Sequence, residues 1–268
     1  MCTPTTTRPL VLSILNLLLV LGLAAAAPLA SAQDTLRVYS PGGPAPAMEA
    51  AADAFSAAHG VPVRVSAGPA SRWMPQARRD ADVVYSGSEH MMTDFTVALR
   101  DAGLSALDTT TVTPLYLRPA AIVVRAGNPE AIAGFHDLLR PDLRVLVVQG
   151  AGQTGLWEDV AGREGDIEEV RAFRRNVGAF APNTGAALRT WQDDESFDAW
   201  LVYGIWYAAH PGAGELMAVE PEHAVYRDTG VALTRRGAAS TVARDFAAFL
   251  RSPESARIFA SFGWRVFH

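Results

Sequence analysis

Short apolar runs and amphipathic stretches alternate along the chain from residue 36 onward. Residues 36–39, 61–65 and 82–85 have the short, β-branched composition of buried strands. Residues 48–58 and 72–80, which lie between these runs, have apolar positions at helical spacing. Because strands separated by helices usually pair in parallel through right-handed crossovers, this order predicts a doubly wound α/β layer.

A second set of elements with the same alternation follows. Residues 144–148 predict a strand, residues 150–155 a glycine-rich loop, and residues 156–163 a helix. Another helix is predicted to start at Asn183 and to continue through Trp191. The pattern therefore predicts two α/β lobes.

Two β-type stretches are predicted to connect these lobes. Residues 111–125 form a long one, and residues 230–234 form a second one before two C-terminal helices, predicted at 240–250 and 253–262. If both stretches cross between lobes, they form a two-strand hinge, which suits closure on a ligand. The predicted organisation is a signal peptide over 1–32, lobe 1 over 33–118 and 235–268, and lobe 2 over 119–234.

The first 32 residues have the layout of a cleavable secretory signal. Arg8 precedes the apolar run 9–23, and Ala30-Ser31-Ala32 is a small-residue cleavage site. A retained membrane anchor is the alternative, but the cleavage site favours removal after Ala32. The prediction is a periplasmic protein of about 236 residues with no stable membrane insertion, because no later apolar run is long enough for a transmembrane helix.

Composition excludes several classes of function. The net charge is −5 with no basic run, which argues against a nucleic-acid partner. The single cysteine, Cys2, leaves with the predicted signal, so no disulfide, thiol nucleophile or cysteine metal site is expected. Common nucleophile, zinc-protease and P-loop motifs are missing, and no histidines are paired at metal-binding spacing. The sequence thus predicts no catalytic residue, no cofactor and no metal.

Four loops between predicted strands and helices are candidates for ligand binding. In open α/β sheets such loops lie at the carboxyl ends of the strands, where helix N-termini favour anions. The first follows the first strand and contains Gly43; the second contains Ser66, with Arg72 just beyond it. Arg72 could bind a carboxylate or phosphate through two nitrogens. An ordinary turn and a solvated arginine are the alternatives.

The third loop consists of Ser86, Gly87, Ser88, Glu89 and His90. Ser86 and Glu89 have the spacing of a capping box, which favours a structural role for Glu89 over a role as base or metal ligand. Ser86 and Ser88 could present hydroxyl groups to a ligand. His90 could be a partly buried histidine or a ligand contact.

The fourth candidate combines the loop at 150–155 with the predicted start of a helix near residue 183. The glycines of this loop match part of a dinucleotide-binding motif, but residues 170–175 are charged and helical where an acidic residue after a second strand is required. Capture of an anion by the backbone needs only the loop. The candidate residues here are Gly152, Gln153, Thr154, Asn183 and Thr184. A nearby group of aromatic residues favours a core cluster over a cleft floor: Trp200, Tyr203, Trp206 and Tyr207.

Three segments resemble signature segments of the accessory colonization factor family. They are LRVYSPGGPAPAM at 36–48, YSGSEHMMTDF at 85–95 and GAGQTGLWED at 150–159. This family is a branch of the type II periplasmic solute-binding proteins, to which sulfate and molybdate binders also belong. The resemblance extends over the whole chain after the predicted signal.

The resemblance implies a non-enzymatic receptor that holds a small anion between its lobes, with an ABC permease as a candidate partner. The anion would be a phosphorylated or carboxylated small acid or a sulfate-like oxyanion. Matching loop positions imply binding by Gly43, Ser66, Ser86, Ser88, Glu89, His90, Gly152, Gln153, Thr154, Asn183 and Thr184, and Arg72 is added on physical grounds.

Two alternatives stay open. One is a surface or colonisation factor that contacts other proteins or cell surfaces, which predicts a polar-poor cleft and an exposed apolar patch. The other is a periplasmic hydrolase that uses Glu89 and His90 as an acid–base pair.

Overall fold

The computed structural model describes residues 1–2, 35–150 and 152–266. The described residues between 35 and 266 form one compact unit. The predicted signal and its cleavage after Ala32 lie outside the described residues, apart from Met1 and Cys2. Within the described part of the chain, no helix combines the length and the apolar character that crossing a membrane requires.

The described residues contain nine strands in one mixed sheet. Their order across the sheet is β2-β1-β3-β9-β4-β7-β5-β6, and β8 pairs beside β4. Their bounds are β1 Leu36–Ser40, β2 Val63–Ala67, β3 Val83–Tyr85, β4 Thr113–Val124, β5 Val145–Val148, β6 Val177–Ala181, β7 Ala199–Tyr203, β8 Glu215–Ala218 and β9 Tyr226–Leu233.

Parallel pairing occurs in two sets of strands, as the alternation of elements predicts. In the first set β1 is parallel to β2 and β3. In the second set β5 is parallel to β6 and β7. The long strand β4 joins the sets, because it pairs antiparallel with β9 over residues 113–119 and with β7 over residues 120–124.

Most of the helices lie between strands, and the last three follow β9. Their bounds are α1 Ala45–His59, α2 Ala70–Asp80, α3 Glu89–Leu99, α4 Leu156–Ala161, α5 Ile167–Asn176, α6 Thr184–Asp193, α7 Ile205–Ala209, α8 Arg235–Ala239, α9 Thr241–Phe249 and α10 Pro253–Ser261. Helix α1 begins three residues before the predicted start at Met48. Pro46 lies in its first turn, where a missing N–H is tolerated and the fixed φ angle suits a helix.

The predicted capping box of Ser86 and Glu89 is wrong. The N-cap of α3 is Ser88, whose hydroxyl accepts a hydrogen bond from the Met91 N–H at 3.2 Å, and Glu89 is the first helical residue. Ser86 instead continues the pairing of β3 with β9, because its N–H donates to the Gly230 carbonyl at 2.8 Å. Ser86 therefore belongs to the strand pairing, although the local spacing had assigned it to the start of the helix.

The core follows the sheet on both sides of β4. In the first set, Phe55 of α1 packs edge-on against Phe246 of α9, with ring centroids 5.2 Å apart. In the second set, Phe135 stacks on Phe173 of α5 at 5.5 Å. The two C-terminal helices thus contribute to the same layer as α1, and the loops at the strand ends are left to form the site.

Candidate functional site

The loops that follow strands of both sets converge on one cleft of about 510 Å³. The topology accounts for this convergence, since parallel strands end at the same edge of a sheet and a crevice opens there. The lining comes from loops after β1, β2, β3 and β6, from helices α2, α3, α6 and α7, and from the middle of β4: Pro41, Gly42, Gly43, Pro44, Gly68, Pro69, Ala70, Arg72, Gly87, Met91, Phe95, Arg118, Pro182, Asn183, Thr184, Gly185, Arg189 and Trp206.

Four helices start at this lining. Helices α1, α2 and α3 begin at loops of the first set, and α6 begins at Thr184 in the second. The first N–H groups of a helix have no partner within the helix, and the helix dipole is positive at this end. The side chain of Asn183 satisfies one such group in α6 by accepting from the Ala186 N–H at 2.9 Å. The remaining donors make the cleft suited to an anion.

The charged side chains in the lining are all basic. Arg72, Arg118 and Arg189 line the cleft, and none of its described lining residues is an aspartate or glutamate. Arg72 is on α2, Arg118 is on β4, and Arg189 is on α6. The cleft therefore presents a positive field from both sets of strands and from the strand that joins them.

Arg118 lies at the centre of this arrangement. It is 2% exposed, and its Nη2 donates to the Gly87 carbonyl and, at 3.0 Å, to the Gly152 carbonyl. Its guanidinium carbon lies 3.9 Å from the centre of the Tyr203 ring. One buried cation thus ties a loop of the first set to a loop of the second, and its Nε has no hydrogen-bond partner in the described residues.

Burial also acts on the charge of Arg118. Loss of solvation lowers the pKa of its guanidinium, and the neighbouring Tyr203, Tyr85 and Asp228 oppose that effect. Arginine keeps its proton in proteins because its intrinsic pKa is so high. The two hydrogen-bond partners of Nη2 are neutral carbonyls, so this cation is positioned without being neutralised.

The structure brings part of the predicted site together. Gly43, Arg72, Asn183 and Thr184 line the cleft. Gly152 lies directly behind it, with its carbonyl on Arg118. Gln153 is also behind the lining, where it is buried and donates from Nε2 to the Thr184 hydroxyl. Gly152 and Gln153 therefore contact cleft residues and do not line the cleft themselves.

The other predicted residues lie elsewhere. Ser66 is part of β2, and Ser86 and Ser88 are buried in contacts with the backbone. Thr154 is exposed and is not a lining residue.

Glu89 and His90 are both exposed on the first turn of α3, outside the lining. The His90 Nε2 lies 3.8 Å from a carboxylate oxygen of Asp94 on the same helix. The cleft therefore offers no substrate position beside this pair, and it does not support the acid–base hypothesis.

Sequence reasoning missed Arg118 and Arg189, and for Trp206 it preferred a core role over the cleft floor. A signal for Arg118 was present, because it is a charged residue inside an otherwise apolar strand and next to Pro119. Trp206 was assigned to a core cluster, yet its indole faces the cleft opposite Gly43. A Cβ added at Gly43 would lie 3.2 Å from the Trp206 Nε1, so only glycine allows this approach without displacement.

Removal of the Asn183 cap is expected to act on both stability and affinity. Asn183→Ala should lower the free energy of unfolding by about 1 kcal/mol, because the start of α6 loses its side-chain acceptor. It should also weaken anion binding about tenfold, as that helix end lines the cleft. Urea denaturation and calorimetric titration measure the two effects.

Ser240→Ala is the matched control. Ser240 caps α9 in the same way, accepting from the Ala243 N–H at 3.3 Å, and it is not a lining residue. The control should lose similar stability and keep its affinity. Equal affinities for the two variants would contradict a role for the α6 N-terminus in binding.

Comparison with known proteins adds a family to this geometry. Residues 36–265 match the family model described as bacterial extracellular solute-binding protein. PEB3 from Campylobacter jejuni, also solved with L-phospholactate bound, is 35% identical with a TM-score of 0.78, over 87% of this chain and 100% of that chain. No curated protein matches the chain in sequence.

More distant structures share the fold. The sulfate-binding protein SubI from Mycobacterium tuberculosis H37Rv has a TM-score of 0.68 at 23% identity, over 86% of both chains. The periplasmic molybdate-binding protein of Azotobacter vinelandii has a TM-score of 0.64 at 14% identity, over 87% of this chain and 100% of that one. The predicted type II fold and the predicted resemblance are both confirmed. The chain belongs to the bacterial extracellular solute-binding protein family.

Proposed function

We propose that this protein reversibly binds a small phosphorylated carboxylic acid in the cleft and changes none of its bonds. The observation that carries the proposal is the lining itself, with three arginines, four helix N-termini and no acidic side chain among the described lining residues. Each of these features favours negative charge, and together they exceed what one carboxylate requires.

The size of the cleft favours a ligand larger than one oxyanion. A volume of about 510 Å³ lies within the range of pockets that hold organic small molecules. The arginines come from three different elements, so a ligand with two separated anionic groups could use more of them than sulfate could. The PEB3 structure with L-phospholactate, a small acid of this class, supports the choice.

Function as a receptor requires export and closure. In the proposal, the signal is cleaved after Ala32, and the protein works in the periplasm with an ABC permease as its partner. Lobe 1, at 33–118 and 235–268, closes on lobe 2, at 119–234, and β4 and β9 act as the hinge. The alternative of a colonisation factor that acts through protein contacts predicts a polar-poor cleft, which three arginines do not support.

Calorimetric titration with a panel of anions tests the proposal. We expect phospholactate or phosphoglycerate to bind at micromolar Kd or tighter, about −8 kcal/mol. Lactate, which lacks the phosphate, should bind at least 100-fold more weakly, a loss of about 2.7 kcal/mol. Sulfate, molybdate and citrate complete the panel.

Two results would overturn the proposal. Millimolar or weaker binding of the whole panel would remove the receptor function for these anions. Tightest binding of sulfate or molybdate would make the protein an oxyanion receptor instead. Phosphorus NMR of the bound and released ligand tests the claim that no bond changes, and any new resonance would contradict it.

A further inference from the structure

Three potential metal ligands from separate segments of the chain meet outside the cleft. His136 begins the short 3-10 helix His136–Leu139, Glu169 is on α5, and His223 ends the 3-10 helix Pro221–His223. One ligand atom from each side chain lies within 4.8 Å of the other two. None of the three residues lines the anion cleft.

The distances within this group are somewhat longer than those between ligands of one metal ion. The Nε2 of His136 is 3.8 Å from Oε1 of Glu169, and the Nε2 of His223 is 3.7 Å from Oε2 of Glu169. Both distances are too long for hydrogen bonds, which end near about 3.2 Å. Two ligands of a tetrahedral ion at about 2.1 Å are separated by about 3.4 Å. The two histidine–carboxylate distances exceed this value by a few tenths of an ångström, and the ligand atoms, which lie within 4.8 Å of one another, would have to draw together around an ion.

Both histidines have an acceptor at the other ring nitrogen. The Nδ1 of His223 lies 2.9 Å from the Val160 carbonyl, and the Nδ1 of His136 lies 3.3 Å from Oε1 of Glu220. A carbonyl oxygen can only accept, so Nδ1 of His223 carries a hydrogen, and in the neutral imidazole its Nε2 then has a lone pair for a metal ion. Carboxylate and carbonyl partners of this kind orient the histidines of metal sites.

Burial leaves two of these atoms without partners. His223 is 0% exposed, and neither its Nε2 nor the Oε2 of Glu169 makes a hydrogen bond in the described part of the chain. Leaving buried polar atoms unpaired costs free energy, and a bound cation would satisfy both. The His136 side chain is 49% exposed, which gives an ion a path from solvent.

We propose that His136, Glu169 and His223 bind one divalent ion of the zinc class. Two imidazoles and one carboxylate suit zinc and its neighbours in the first transition row, whereas magnesium and calcium require oxygen ligands. Three protein ligands leave a coordination position for water on the exposed side of His136. This site is independent of the anion cleft and of the function proposed for it.

Calorimetric titration of chelator-treated, tag-free protein with zinc chloride is the direct test. We expect one equivalent to bind and the melting temperature to rise, since a ligand of the folded state stabilises it. Magnesium chloride should give neither effect. Replacement of zinc by cobalt should give visible absorption bands of a coordinated ion.

Variants identify the ligands. Glu169→Gln and His136→Ala should each weaken zinc binding by about 100-fold or more. His90→Ala is the matched control, because His90 is also an exposed histidine close to a carboxylate. The affinity of this variant for zinc should equal that of the parent protein. Circular dichroism and the anion affinity of each variant show that the fold is kept.

The outcomes separate clearly. Absence of saturable zinc binding overturns the site, as does parental affinity in both Glu169→Gln and His136→Ala. Equal losses in His90→Ala and His136→Ala would mean adventitious surface binding. Failure of anion binding leaves this result unaffected, because the two sites share no residue.

Discussion

Arg118→Lys is expected to weaken binding of the phosphorylated acid by about 100-fold or more, equivalent to about 2.7 kcal/mol. Arg118 donates from one nitrogen to the carbonyls of Gly87 and Gly152, and its planar guanidinium lies over the Tyr203 ring. A lysine ammonium keeps the charge, but it lacks the planar group and the nitrogens that reach the cleft. The loss would therefore come from geometry, since the formal charge is unchanged.

Calorimetry with Arg251→Lys as control measures this effect. Arg251 is exposed just after α9 and is not a lining residue, so its replacement should leave the affinity unchanged. Arg118→Lys should also lower the free energy of unfolding by about 1 to 3 kcal/mol, because buried carbonyls lose donors. The titrations should be run at a temperature at which urea denaturation curves show that the variant is fully folded. An affinity within threefold of the parent would contradict the central role of Arg118.

Gly152→Ala is expected to cause the second largest loss of affinity for the ligand. Gly152 has a φ of 81°, a left-handed conformation that costs an L-residue about 1 to 2 kcal/mol. An added Cβ would lie 3.0 Å from the Met91 Cε and 3.3 Å from the Arg118 Nη2. Because Met91 and Arg118 both line the cleft, the methyl group should displace them and weaken binding by about 10- to 100-fold.

Gly165→Ala is the matched control for backbone strain. Gly165 has a similar φ of 78°, but no atom lies within 4 Å of a Cβ added there. Both variants should lose about 1 to 2 kcal/mol of stability from the left-handed conformation. Only Gly152→Ala should also lose affinity for the ligand. If the two variants bound equally well, the contact between Gly152 and Arg118 would have no part in recognition.

Most helices and several strands could be predicted from the chain alone because their signals are local. The apolar positions of residues 48–58, for example, lie three and four residues apart, and α1 covers all of them. The cap of α3 was misassigned for the same reason. Ser86 and Ser88 both precede a helix, and only the sheet contact to Gly230 shows which one belongs to the strand.

The candidate site was predictable only where binding groups follow strand ends. Gly43 follows the predicted strand at 36–39, and Asn183 and Thr184 were predicted at the start of a helix, so these local signals and the family resemblance predicted all three. Trp206 looked like a core residue, because an aromatic side chain has the same local pattern whether it faces a core or a cleft.

The amino-acid sequence by itself determined the alternation of strands and helices, the glycine-bearing loops at strand ends and the mild negative charge. These follow from spacing and composition, which are properties of neighbouring residues. Tertiary structure alone decided that Arg118 joins Gly87 to Gly152, residues 31 and 34 positions away, and that Glu169 lies between two histidines. Such meetings depend on which strands pair and in what register, and no local pattern encodes that choice.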